Sequence, residues 1–182
     1  AALRSDLLLV YASLTFLLAY MVLSLRSLFL GVMGLLTCIL PFPAVLFFHR
    51  VLCGYSKLNM LTFTSLWIIS GIGADNVFVL TEAWHHSRRQ LVYRGRRPAP
   101  LAHRMSSVYR EAGYAMFITS FTTAMAFFGN ASSGIFAIRT FGLFLGGLVL
   151  TNYVLVMSWY AAALALHQAT MDTLNQLRHS NN

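Results

Sequence analysis

Long apolar runs alternate with short polar breaks from one end of the chain to the other. The first uncharged run, Leu7 to Leu25, is bounded by Asp6 and Arg26. The second, Leu28 to Phe48, follows after the two-residue turn Arg26-Ser27 and carries Pro41 and Pro43. Both prolines remove a backbone donor, so this segment is expected to kink or break. The third run is Leu58 to Leu80, the fourth Ala112 to Phe128 and the fifth Thr140 to Leu166. Each approaches or exceeds the roughly 20 apolar residues that a bilayer core requires of a helix. Between the third and fourth lies a polar stretch, Thr81 to Glu111. Within it Leu101, Met105, Val108 and Ala112 recur at helical spacing, with Arg104 and Arg110 off that stripe. That spacing predicts a short amphipathic helix along the membrane interface. A polar tail follows Leu166. The pattern predicts an all-α polytopic membrane protein of five transmembrane helices, with residues 1–182 forming one membrane domain and no soluble domain.

Composition agrees with the pattern. Of 182 residues 58% are hydrophobic and 10% charged, where an ordinary soluble domain keeps about a quarter of its residues charged. The net charge of +8 invites a nucleic-acid reading. Its lysines and arginines sit between apolar runs instead of on a soluble face, so no nucleic-acid partner is expected. Their distribution sets an orientation. With five crossings, Arg26, seven arginines of the 81–111 stretch and Arg178 share one side, nine in all. Arg4, Arg50, Lys57 and Arg139, four in all, share the other. The nine-residue side is expected to be cytoplasmic, with Trp84 as an interfacial anchor there. The protein is accordingly expected to be a multi-pass integral protein of the plasma membrane or an endomembrane. Cys38 and Cys53 lie apart in an apolar run and a loop and argue neither a disulfide nor a metal framework. The chain opens with neither an initiating Met nor a signal-peptide pattern, as if cut from something longer.

One carboxylate breaks the apolar pattern. Asp75 sits inside the third run, preceded by the small residues Ser70, Gly71, Gly73 and Ala74. An ionisable group at membrane depth costs about 2.5–3.5 kcal/mol on insertion scales and by default marks a functional path. The small residues allow a second helix backbone to approach. The competing reading is a buried acid that only tunes helix packing. Glu82 lies two turns further along the same helical face, about 10 Å away. This suits either a relay toward the cytoplasmic mouth or an ordinary boundary residue paired with the basic loop. Thr119, Ser120, Thr122 and Thr123 of the fourth run either face Asp75 or hydrogen-bond their own helix. Gly142 and Gly146 form a close-packing G-x-x-x-G pair. His85 and His86 read as a solvated cytosolic face. Asn130-Ala131-Ser132 is a glycosylation sequon placed too near the membrane to be used. No cluster suggests covalent catalysis, so an enzyme is not expected.

The five-helix order, the motif Gly71-Ile72-Gly73-Ala74-Asp75-Asn76 and the stretch AGYAMFITSFTTAMAFFGNASSGIFAIRTFGLF from Ala112 together carry a resemblance. Over nearly its whole length the chain resembles the sterol-sensing domain of the resistance–nodulation–division superfamily, which includes Patched, the Niemann–Pick type C transporter and Dispatched. The run GIGADNVFVLTEAW looks most like the Dispatched branch. The resemblance implies half of a larger transporter bundle, with a second repeat elsewhere in the same full-length chain. It implies membrane lipid and sterol as partners, and a lipid-modified, Hedgehog-type protein or a lipid as exported substrate. It also implies no cofactor beyond a coupling sodium ion or proton. The family carries a G-x-x-x-D-D motif on this helix. Gly71 and Asp75 match it, while Asn76 replaces the second acid, so Asp75, Asn76 and Glu82 are the candidate cation-relay residues. Gly71, Gly73, Gly142 and Gly146 are the candidate packing residues. A carboxamide offers an oxygen but neither charge nor a titrating proton. A second reading therefore stands beside export: a sterol-responsive regulatory membrane domain that transports nothing.

Overall fold

The computed structural model describes residues 2–25, 27–53, 60–93 and 101–180, and these form helices and short turns without a strand. The elements are α1 (Ala2–Leu25), α2 (Leu28–Ile39), α3 (Pro41–Cys53), α4 (Met60–Tyr93), α5 (Leu101–Val108), α6 (Tyr114–Gly129), α7 (Phe136–Leu155) and α8 (Ala161–Ser180). A π-turn at Tyr109–Gly113 joins α5 to α6, and a second at Val156–Tyr160 joins α7 to α8. A 3₁₀ turn, Asn130–Ser132, closes α6 and holds the glycosylation sequon. Among the described residues, four segments are long and apolar enough to cross a membrane: Leu28–Val51, Thr64–Ser87, His103–Ser132 and Phe136–Met171. α1 carries the first uncharged run, Leu7 to Leu25. The chain is a multi-pass membrane protein. Arg26, Lys57, Arg94, Arg96 and Arg97, which enter the orientation count, and Leu58 and Asn59, where the third run begins, lie outside the described residues.

The prolines act as expected. The second run breaks after Ile39, with the Leu40 N–H still donating to the Leu36 carbonyl, and restarts at Pro41. Pro43 then occupies the first turn of α3, where no backbone donor is required.

The helices outrun their apolar stretches. The third was expected to end near Leu80 but continues to Tyr93, because Thr81 to Tyr93 contains neither Gly nor Pro. Polarity ends a membrane span, whereas a helix persists until its backbone is broken. Similarly, the stretch from Leu101 runs through its π-turn into α6, α7 begins at Phe136 ahead of Thr140, and the polar tail stays helical to Ser180.

The amphipathic segment also differs from expectation. Val108 and Ala112 are buried as their stripe predicts, but Arg104 is buried too, its guanidinium 4.2 Å from the centre of the Trp84 ring. Trp84 is 3% exposed, so it is covered by α5 and is not presented to lipid headgroups. Stacking on an aromatic face offsets part of the cost of burying the cation.

Helices α4 and α7 occupy the centre, α4 packing on α2, α5 and α7, and α7 also on α3 and α6. Two apolar cores result. One gathers Met21, Leu30, Val77, Leu80, Trp84, Met116, Val156 and Tyr160. The other gathers Val45, Ile69, Ala124, Phe144, Leu145, Leu148 and Val149. Along their helices, Ser70, Ser120 and Asn152 fall between the two cores, and Thr37 and Asn76 lie beside the last residues of the first. All five are buried. Thr37, Asp75, Ser120 and Asn152 each lie within three residues of the midpoint of their span, counted from the span ends given above. The bundle therefore has a polar waist at mid-depth. Polar ties also hold the end that the arginine count assigns to the cytoplasm. Thr81 donates to the Val77 carbonyl and accepts from the Tyr160 hydroxyl at 2.8 Å, and Ser27 Oγ meets His167 Nε2 at 3.2 Å.

Candidate functional site

Ile72, Asp75, Asn76 and Val79 recur on one stripe of α4, and Ala115, Met116, Thr119, Ser120 and Thr123 on one stripe of α6. Positions three and four apart share a helix face, and these two faces line an open cavity of about 380 Å³ between them. Asp75 stands exposed at its mouth, near the middle of the Thr64–Ser87 span. Asn76, one residue on and turned inward, is 7% exposed, and its Nδ2 has no hydrogen-bond partner. Ser120 is 3% exposed, and its Oγ has none either. Buried polar groups are ordinarily satisfied, and each that is not costs about 1–3 kcal/mol. Two unpartnered polar atoms thus lie on residues that line one cavity beside a carboxylate.

Of the hydroxyls singled out in the fourth run, three line this cavity. Thr119, at its edge, donates to its own helix at Ala115 and Met116. Thr122 is not among the lining residues and donates to Ile118 and Thr119.

Glu82 lines a second hollow of about 260 Å³ with Val79, Ala83, His86, Glu111 and Ala112. Val79 borders both hollows, so they adjoin along α4, the first facing α6 and the second the π-turn before it. His85 and His86 are exposed, as expected, and His86 also borders this open hollow. Glu111 was not singled out in the sequence, since it sits in a basic stretch where an acid reads as a neutralising partner.

The glycines divide. A Cβ on Gly73 would stand 3.0 Å from both Cys38 Sγ and Asn152 Oδ1, so α2 and α7 approach α4 there. On Gly142 it would meet the Phe127 carbonyl oxygen at 2.5 Å, and on Gly146 the Phe128 ring at 2.5 Å. The G-x-x-x-G face is thus filled by the end of α6 within this chain. A Cβ on Gly71 would meet nothing within 4 Å among the described residues. It is exposed because its helix face turns away from α2 and α7. Asn152, which the sequence reading passed over, is fully buried beside Gly73, with neither carboxamide atom hydrogen-bonded. Its one signal was being an uncharged polar residue inside the fifth apolar run.

The side chains facing the cavity offer a carboxylate, a carboxamide and hydroxyls, donors suited to a hard cation or a proton. Among the described residues no group of three or more His, Cys, Asp or Glu side chains is placed to hold a metal.

Residues 26–180 match the family described as the sterol-sensing domain of SREBP cleavage-activation. Protein dispatched homolog 1 of Mus musculus is 35% identical over 143 residues, which is 79% of this chain and 9% of that protein. Protein dispatched homolog 3 of Mus musculus is 33% identical over 176 residues, 94% of this chain and 12% of that protein. Protein dispatched of Drosophila melanogaster is 29% identical over 194 residues, 97% of this chain and 16% of that protein. The chain thus spans a small part, between 9% and 16%, of the length of these relatives.

Proposed function

Because the chain belongs to the sterol-sensing-domain family and is Dispatched-like, we propose that it is the membrane half-domain of a cation-coupled exporter of sterol-modified, Hedgehog-type protein or of lipid. The observation that carries this reading is Asp75: a carboxylate at mid-span, at the mouth of a cavity whose floor holds the unpartnered polar atoms of Asn76 and Ser120. When a coupling cation binds, it supplies the charge that lets the carboxylate sit at membrane depth. Asp75 then holds that charge, Asn76 contributes a neutral dipole, and Glu82 with His86 and Glu111 forms the next station along the groove. An exposed carboxylate at mid-span does not face lipid. The groove around Asp75 is therefore where a second repeat of the full-length protein fits, and coupling arises from one repeat moving against the other. Sterol and membrane lipid are the remaining partners of this reading.

The test is Asp75→Asn in the full-length protein. Coupled export should fall to background while expression holds, since removing a charge lowers the insertion cost. Asn76→Asp should strengthen ion dependence, because two adjacent carboxylates force one pKa upward and favour a shared cation or proton. Normal export in Asp75→Asn would remove the carboxylate from the mechanism. The buried, uncharged Asn76 at the second acid position supports one other reading, a sterol-responsive regulatory domain without transport. Silence of both substitutions would favour it.

A further inference from the structure

The hydroxyls of these membrane helices follow a pattern that Ser120 breaks. Thr37 donates to the Met33 carbonyl, Ser70 to Leu66, Thr119 to Ala115 and Thr122 to Ile118. Such back-bonding is the ordinary way a Ser or Thr is satisfied inside an apolar helix. Ser120, between Thr119 and Thr122 on the same helix, is more deeply buried than either, and its Oγ has no partner. It opens into the cavity that Asp75, Asn76 and Thr123 also line. Thr123 stands three residues further along α6, on the same face as Ser120. Across the cavity the Asn76 Nδ2 is likewise unpartnered, and a half-turn of that carboxamide presents its oxygen instead.

We propose that Ser120 and Thr123 of α6 are oxygen ligands which complete, with Asp75 and Asn76, a site for one monovalent alkali cation in the α4–α6 groove. The inference rests on the cation-coupled reading of Asp75 and adds to it the opposite wall of the site. Charge balance selects the valence. On the wall formed by this chain Asp75 is the one carboxylate among the lining residues, which neutralises one positive charge, whereas a divalent ion would leave a net charge there, costly at mid-span. The donor types select the class, since carboxylate, amide and hydroxyl oxygens suit a hard cation. A proton alone would need only the carboxylate and would leave Ser120 unsatisfied.

The measurement is thermal unfolding of the full-length protein in lipid nanodiscs, titrated with sodium chloride against choline chloride at constant ionic strength. A cation that binds the folded state raises the midpoint as its concentration passes the dissociation constant. Asp75→Asn defines the part of the sodium response that belongs to this site. Ser120→Ala and Thr123→Val should each raise the half-saturating sodium concentration of that part about tenfold, which corresponds to about 1.4 kcal/mol. Thr123→Ser, which keeps the hydroxyl, and Thr122→Val, at a position outside the cavity, should titrate as the parent does. In choline alone Ser120→Ala should melt no lower than the parent, because it deletes an unsatisfied buried hydroxyl. Parental half-saturation in both Ser120→Ala and Thr123→Val, with the response still lost in Asp75→Asn, would overturn the α6 ligands and leave the Asp75 reading standing. A parent whose midpoint ignores sodium, or an Asp75→Asn variant that responds normally, would remove both, as expected if a buried water satisfies Ser120.

Discussion

Gly142 and Gly71 are both glycines in apolar helices, and their neighbours give them opposite tolerances. A Cβ on Gly142 would press on the Phe127 carbonyl oxygen and the Asn130 Cβ, at 2.5 and 2.6 Å, where backbone cannot yield cheaply. Gly142→Ala should therefore destabilise the protein by about 1–3 kcal/mol, as overpacking does. Gly71→Ala meets no neighbour among the described residues, so a cost in the same melting experiment would report the second repeat proposed to lie against Asp75, which shares its helix face. A Gly142→Ala protein that melts with the parent would contradict the close approach of α7 to the end of α6. Residue identity made Asp75 legible in the sequence, because a carboxylate in an apolar run announces its own cost. Asn152 was not legible. Its significance lies in being fully buried beside Gly73 with neither carboxamide atom hydrogen-bonded, and one uncharged polar letter among apolar ones carries no sign of that. Ser120 and Thr122 were likewise indistinguishable as letters. The rotation of α6 puts one in the cavity and the other outside it.

Among the elements, the breaks that depend on backbone chemistry were readable and the ends that depend on solvent were not. Pro41 interrupts the second run where a missing N–H must interrupt it. By contrast, α4 runs to Tyr93 because nothing in its polar extension breaks a helix, and polarity alone had suggested a loop. The extension gives α5 something to dock on, and the contact is Arg104 stacked over Trp84. Arg104→Gln and Trp84→Leu should each lower the melting midpoint and speed proteolysis at the α4–α5 connection. The double variant should lose less than the sum of the two, because residues in direct contact are not additive. Strict additivity would mean that the stacking contributes nothing. The spacing set Arg104 off the apolar stripe, whereas Arg104 is buried with it, against an aromatic surface on α4 that the letters of α5 do not show.

For the molecule as a whole, the class, the order of helices and the family were legible because they follow from where apolar runs begin and stop. The division into two cores with a polar waist was not, since it depends on which residues of separate helices share a depth. The waist places polar side chains at mid-span on four helices, and its α4–α6 side opens outward at Asp75. Orientation remains a prediction of the nine-to-four split in lysine and arginine. A cysteine introduced at Ser87 should react with an impermeant thiol reagent only from the cytosolic side, and one at Ser56 only from outside. The reverse labelling would place Glu82, His86 and Glu111 at the opposite mouth of the groove.

The two π-turns are stitched to each other. The Tyr109 hydroxyl donates to the Met157 carbonyl, the Tyr153 hydroxyl donates to the Gly113 carbonyl at 3.3 Å, and Gly113 leaves room for the Met157 methyl. A π-turn stores one surplus residue, a unit of slack in an otherwise taut rod. Expelling it would turn the helix beyond by about 100° and draw it in by about 1.5 Å. Here the slack in one rod is tied to the slack in its neighbour, so that, as with meshed gears, a shift in one would strain the ties to the other. The cavity wall on α6 starts at Ala115, directly after the first of these turns. A single tooth of motion there would swing Ser120 and Thr123 out of register with Asp75 while α4 stood still.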